Sequence, residues 1–170
     1  MENTNDKQFN DLEKAVLEWY VATYQDENLT AQIRSAKLKK RDWTGHGFYV
    51  YLETSHDLKP IDFSILPEVG VKPPVHFFDD PKLKNRKRGF PIGGPDIEPS
   101  EDIEDGGGSL LWGEDGYIDC IEMYAFGHLF KEHVTNFKIG DPLEKIAPTS
   151  PSFITSPMEK LKRVIGFFKK

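Results

Sequence analysis

The chain reads as an α+β domain: an antiparallel sheet of about 4–6 strands, with an amphipathic helix before it and a second helix at its C-terminal end. Three observations predict this. Residues 8–24 carry an apolar stripe of helical period. Two segments rich in strand formers each fold about a glycine-containing turn. A proline-capped amphipathic segment closes the chain.

In the first segment Leu12, Ala15, Val16, Trp19 and Tyr20 recur at i, i+3, i+4, i+7 and i+8, one face of a helix. A short second helix is expected over Thr30–Ser35. The period then changes. Lys37 to Trp43, Thr-Gly-His-Gly, and Phe48-Tyr-Val-Tyr-Leu52 predict a hairpin over 37–53. Its first strand is so basic that it belongs facing solvent or at a sheet edge. Ile61–Leu66 has the composition of a short strand. However, Pro60, Pro67, Pro73 and Pro74 interrupt ladder bonding and favour loop or edge conformations. One further strand is expected around Lys87–Ile92, followed by an acidic loop, Asp96–Gly108, ending in three glycines.

The second hairpin, Ser109–Gly113 with Tyr117–Phe126, is marked by Asp115-Gly116, which suits the positive φ angles of a type I′ turn. Regular pairing from that turn sets Glu114 opposite Tyr117, Trp112 opposite Asp119, Leu110 opposite Ile121 and Ser109 opposite Glu122. Leu110, Trp112, Tyr117, Ile121, Met123 and Ala125 then share one face; Leu111, Ile118, Cys120, Tyr124 and Phe126 share the other. Both faces are apolar. One is expected under the helices; the other requires a curled sheet, a cover of Pro-rich loop, or a partner. Glu122 sits among apolar neighbours and is expected to be structural, accepting hydrogen bonds from Ser109 and from a basic or backbone donor of the 37–53 hairpin, with Arg41 the leading candidate. Beyond residue 140, prolines at 142, 148, 151 and 157 predict a linker over 141–156. Ser156, Pro157 and Glu159 then open a helix over 157–170. Residues 1–140 form the single domain.

Composition limits the function. A chain of 170 residues with 38% hydrophobic residues can bury a core without metal or disulfide, and its one cysteine, Cys120, cannot form an internal bridge. The N-terminus, MENTNDKQFND, is acidic and unlike a secretory signal, and no apolar run approaches the roughly 20 residues of a membrane span. A cytoplasmic protein is expected. The net charge is −6, while Met158–Lys170 carries five basic residues against one acid, so the body is more acidic than the whole. An acidic body argues against phosphate-backbone binding, and no nucleic-acid partner is expected. The basic tail, with Met158, Leu161, Val164, Ile165 and Phe168 in one stripe, suits docking on an acidic surface or on a membrane surface.

Motif chemistry is sparse. Gly106-Gly107-Gly108 precedes a strand, whereas phosphate-cradling loops follow one, so turn and close-approach roles are expected. His128 and His133 are five apart, which is not the i, i+4 spacing of a zinc helix. Cys120 alternates with apolar residues and reads as a buried thiol. The acids Asp96, Glu98, Glu101, Asp102, Glu104 and Asp105 lack the ligand order of a calcium loop and read as a solvated surface. Asp119 and Glu122 have odd spacing, which in a regular strand sends them to opposite faces and denies them a simple acid/base pairing. No cofactor, metal or catalytic residue is assigned.

Arg41-Asp42-Trp43-Thr44-Gly45-His46-Gly47-Phe48-Tyr49, then Gly106-Gly107-Gly108, then Trp112-x-x-Asp115-Gly116-Tyr117-x-x-Cys120-Ile121-Glu122 resemble a group of small, mostly uncharacterised bacterial proteins. That group has a "tGxGFy" hairpin and a later "GGxxLxxxDGyxxxLE" hairpin; here Ile121 stands in the Leu position. The resemblance spans roughly residues 30–130, and in size and layout the group is similar to immunity proteins of bacterial toxin systems. It implies a cytoplasmic binding role without enzymatic activity. Two functions are therefore weighed. One is a non-enzymatic module that binds a protein partner or itself, and the other is a small hydrolase or ligand-binding domain using Glu122 in a cleft. The residues expected at an interface or buried polar site are Arg41, Trp43, His46, Trp112, Tyr117, Asp119 and Glu122.

Overall fold

The computed structural model describes residues 8–63, 65–67, 91–127 and 129–142. The linker and the helix expected over 157–170 lie outside these residues, apart from the linker's first two positions.

Helix α1 spans Asp11–Tyr24. It starts there because Asn10 and Glu13 form a capping box: the Asn10 side chain accepts from the Glu13 N–H at 2.9 Å, and the Glu13 carboxylate accepts from the Asn10 N–H at 2.8 Å. It ends at Gln25, which takes the left-handed conformation with φ 50°. Leu12, Val16, Trp19 and Tyr20 are buried as their spacing predicts. Helix α2, Glu27–Ser35, begins three residues earlier than expected because Asp26 caps the Leu29 N–H at 2.8 Å.

Five strands follow: β1 Lys37–Trp43, β2 Gly47–Glu53, β3 Ile92–Ile97, β4 Gly107–Glu114 and β5 Tyr117–Ala125. They form one antiparallel sheet in the order β1-β2-β5-β4-β3. The α+β class and strand number match expectation, and basic β1 is an edge strand. Both described helices precede the sheet, α1 packing over β3 and α2 over β5.

One strand expectation fails. The described residues of 61–66 form no strand; Ile61 is instead buried against the β4–β5 turn, its N–H donating to the Gly116 carbonyl at 2.7 Å. Of the strand expected around Lys87–Ile92, residues 87–90 lie outside the described residues; β3 starts at Ile92 and runs into the segment read as acidic loop. Pro95 is tolerated because β3 is the far edge and its pairing with β4 is irregular between Gly93 and Asp96.

The β1–β2 turn explains a motif. Gly47 lies so close to β5 that a Cβ there would sit 1.9 Å from the Met123 carbonyl oxygen, so this position of Thr-Gly-His-Gly admits no side chain.

The β4–β5 turn forms as expected, with positive φ at Asp115 (52°) and Gly116 (87°), and Glu114 faces Tyr117. The register then departs from expectation. Gly113 faces Ile118, but Trp112 faces Cys120, so Asp119 is an extra residue in a β-bulge. Leu110 therefore faces Glu122 and Ser109 faces Met123. One residue of slip exchanges the faces. Leu111, Ile121 and Met123 join Phe48, Val50 and Leu52 in the core under the helices. Leu110, Trp112 and Cys120 gather on the opposite face with Tyr49, Tyr51 and Tyr124. Leu110 and Cys120 are each 1% exposed, so these two side chains of the second apolar face are buried within the chain.

Residues 129–142 close the structure. Ile139 bridges to Ile97, the Glu98 N–H donates to the Lys138 carbonyl, and the Trp19 Nε1–H donates to the Asp141 carbonyl at 3.1 Å. This strap joins the β3 edge to α1. No described helix is long and apolar enough to cross a membrane.

Candidate functional site

The seven residues expected at a site do not gather in one place. Trp112 and Glu122 meet on the second face of the sheet. The Glu122 carboxylate is 8% exposed and accepts from Trp112 Nε1 at 2.9 Å through one oxygen and from the Tyr49 hydroxyl at 3.1 Å through the other. Adjacent strands set this up: Tyr49 faces Glu122 across β2–β5, and Trp112 is on β4 two positions beyond Leu110, which faces Glu122. Burial pushes the Tyr49 phenol up to about 12, with the Glu122 charge as the next cause. Tyr124 is raised to about 12 for the same reasons. The structural role expected for Glu122 has a geometric basis, but its donors are not those expected.

Ser109 faces Met123, and its hydroxyl shares a hydrogen bond with Tyr20 at 3.3 Å. Arg41 is committed to α1. Its Nε lies 2.5 Å from Glu13 Oε1, one terminal nitrogen lies 2.8 Å from Oε2, and the same group reaches the Gln8 carbonyl. The Glu13 side chain is fully buried and that of Arg41 21% exposed, so one carboxylate both caps α1 and ties it to β1.

Asp119 occupies the bulge. Tyr117, half-buried, donates to the Leu58 carbonyl at 3.1 Å and stacks on His56 at 4.3 Å between ring centroids. Gln32 of α2 completes this clamp. Its amide donates to the Lys59 and Gly116 carbonyls, and its oxygen accepts from the Ile118 N–H. Tyr117 therefore belongs to the packing of the hairpin turn.

Trp43 and His46 lie at the opposite end of the sheet. Trp43, the last residue of β1, is 48% exposed and donates from Nε1 to the Phe130 carbonyl. The His46 carbonyl accepts from the Ala125 N–H, which brings Phe126 beside the β1–β2 turn. Phe126 is 55% exposed and Leu129 39%. Three large apolar side chains are thus exposed where β1 and β5 end. Beside Trp43 an open cleft of about 880 Å³ is lined by Phe9, Lys40, Arg41, Trp43, His133 and Phe137 among others; Phe126, Leu129 and Glu122 do not line it.

One acid of the run read as solvated is buried. Asp102 accepts from Lys131 Nζ at 2.9 Å and from the N–H groups of Thr135 and Asn136 at 2.9 and 3.0 Å. The Lys131 ammonium, then the two backbone donors, hold its carboxyl well below the usual carboxylate range. The other five acids are exposed. Cys120 is buried, as its alternation predicts. Among the described residues no group of three or more His, Cys, Asp or Glu is placed to hold a metal ion.

Glu13, Tyr49, Asp102, Phe126 and Leu129 are absent from the sequence-derived set. The Asn10-x-x-Glu13 spacing signals a capping box, and Tyr49-x-Tyr51 signals a polar-tipped face of β2. Nothing local to residues 126–129 marks their exposure. The geometry defines a five-stranded α+β protein with an internally bonded polar cluster and an exposed aromatic end. Comparison with protein families, curated proteins and solved structures gave no match.

Proposed function

We propose that this chain is a non-enzymatic, cytoplasmic protein-binding module of the immunity type, which captures a toxin domain or another protein partner through the end of the sheet bearing Trp43, Phe126 and Leu129. The observation that carries this reading is the exposure of those three large apolar side chains at the end of the sheet where β1 and β5 finish. Exposed tryptophan and phenylalanine are the side chains that anchor protein interfaces. The acidic body adds to it, because complementary charge speeds encounter with a basic partner. The resemblance of the two hairpins to immunity-like proteins points the same way.

A hydrolase using Glu122 has less support. Both carboxylate oxygens are engaged by aromatic side chains, and the cleft beside β1 lies elsewhere. The test is co-purification with the product of the adjoining gene, followed by calorimetry. A complex is expected that Trp43→Ala and Phe126→Ala each weaken by about tenfold or more without loss of secondary structure. Absence of a complex, together with a hydrolytic or small-ligand activity lost in Glu122→Gln, would overturn the reading in favour of the enzyme.

A further inference from the structure

We infer that the outer edge of β1, with the cleft at its end, is a docking groove for an extended acidic segment carrying an apolar anchor, which adds to the sheet as a sixth strand. This rests on the protein-binding reading and specifies one segment of the partner, distinct from the basic surface that would meet the acidic body. β1 ends the strand order, so its outer row of N–H and C=O groups pairs with no other described strand. Along it lie Lys37, Lys39, Lys40 and Arg41. Lys40 is paired with Asp42 and Arg41 with Glu13, which leaves Lys37 and Lys39 exposed on an otherwise acidic body.

Edge lysines and a bulge, here between Leu38 and Lys40, also guard strands against unwanted pairing. Two features separate docking from guarding. The guard acts against a second copy of this chain, because antiparallel pairing of two β1 strands sets lysine against lysine, but not against an acidic strand. In addition, the strand ends in the half-exposed Trp43, beside a cleft that also presents Phe9 and Phe137. Main-chain bonding along the edge and a side-chain pocket at one end are the two elements of strand addition.

The test uses the full chain and an acetylated peptide of alternating Glu and Val ending in Phe, with the Lys-for-Glu peptide as control. Saturable binding of the acidic peptide alone is expected, with slowed amide exchange confined to β1. Charge reversal at both Lys37 and Lys39 should weaken binding by about tenfold and flatten its salt dependence. Binding without protection of β1, or equal binding of both peptides, overturns the inference. A protein partner that binds through Trp43 yet leaves β1 amides unprotected overturns the inference while the protein-binding reading stands.

Discussion

Trp112 and Glu122 lie on adjacent strands but are not direct partners, and the indole of one donates to the carboxylate of the other at 2.9 Å. Tyr49 holds the second oxygen from the opposite strand. Glu122→Gln keeps one acceptor and replaces the other with an amide NH2 group that cannot accept. A loss of about 1–3 kcal/mol is expected from urea unfolding. It should couple with Trp112→Phe in a double-mutant cycle and add independently with Arg41→Met. Coupling to Arg41 instead would show that the polar cluster is misassigned.

Alkaline pH tests the same cluster from the phenol side. Tyr49 is held up to about 12, so between the ordinary tyrosine value near 10 and that point the unfolded chain loses its proton first. Its stabilising effect is complete below about 10 and disappears as the pH rises through about 12. Ultraviolet titration of the parent against Tyr49→Phe should show one late-ionising phenol missing. In Glu122→Gln that phenol should ionise earlier, since the carboxylate charge is removed. A late-ionising phenol that titrates unchanged in Glu122→Gln contradicts the assignment.

Glu13 and Arg41 join α1 to β1 through a buried ion pair. Arg41→Met leaves the Glu13 carboxylate without its cation, and such a change costs about 3–5 kcal/mol. Glu13→Gln should cost a similar amount, since the capping box loses its charge as well. The double variant should recover part of the loss. Full additivity in denaturant midpoints would mean that the two groups do not interact.

Asp102 predicts the acid limb of stability. Its folded-state carboxyl is depressed, so the unfolded chain takes up the proton first as pH falls. The contribution is complete above the ordinary carboxylate value near 4 and is lost as pH drops below it toward the folded value. Asp102→Asn should be less stable than the parent at neutral pH and show a shallower decline between about pH 4 and 2. Parallel declines would exclude Asp102 as a source of the acid sensitivity.

Local signals in the sequence recover local structure. The helical stripe of α1, the Asp115-Gly116 turn and the basic edge strand are each set by residues a few positions apart. The bulge at Asp119 is not, because it depends on how β5 also meets β2, and one extra residue exchanged the faces assigned to Leu110, Leu111 and Trp112. β3 was obscured because Gly93, Gly94 and Pro95 oppose strand formation except at an edge. The pairing of Arg41 with Glu122 failed for a related reason: both residues were placed correctly on strands, but the nearer carboxylate came from a helix 28 residues earlier in the chain.

The strap over residues 129–142, with β3 and β4, places the partners of α1 late in the chain. Trp19 bonds to Asp141 across 122 positions, Tyr20 to Ser109 across 89, and Tyr24 to Gly93 across 69. During synthesis at about 5–20 residues per second, the helix leaves the ribosome on the order of ten seconds before its last contact exists. For most of that interval its apolar stripe has no complete sheet to rest on. Nascent chains halted before residue 92 should therefore bind chaperones through α1, and a polar substitution at Val16 should reduce that binding.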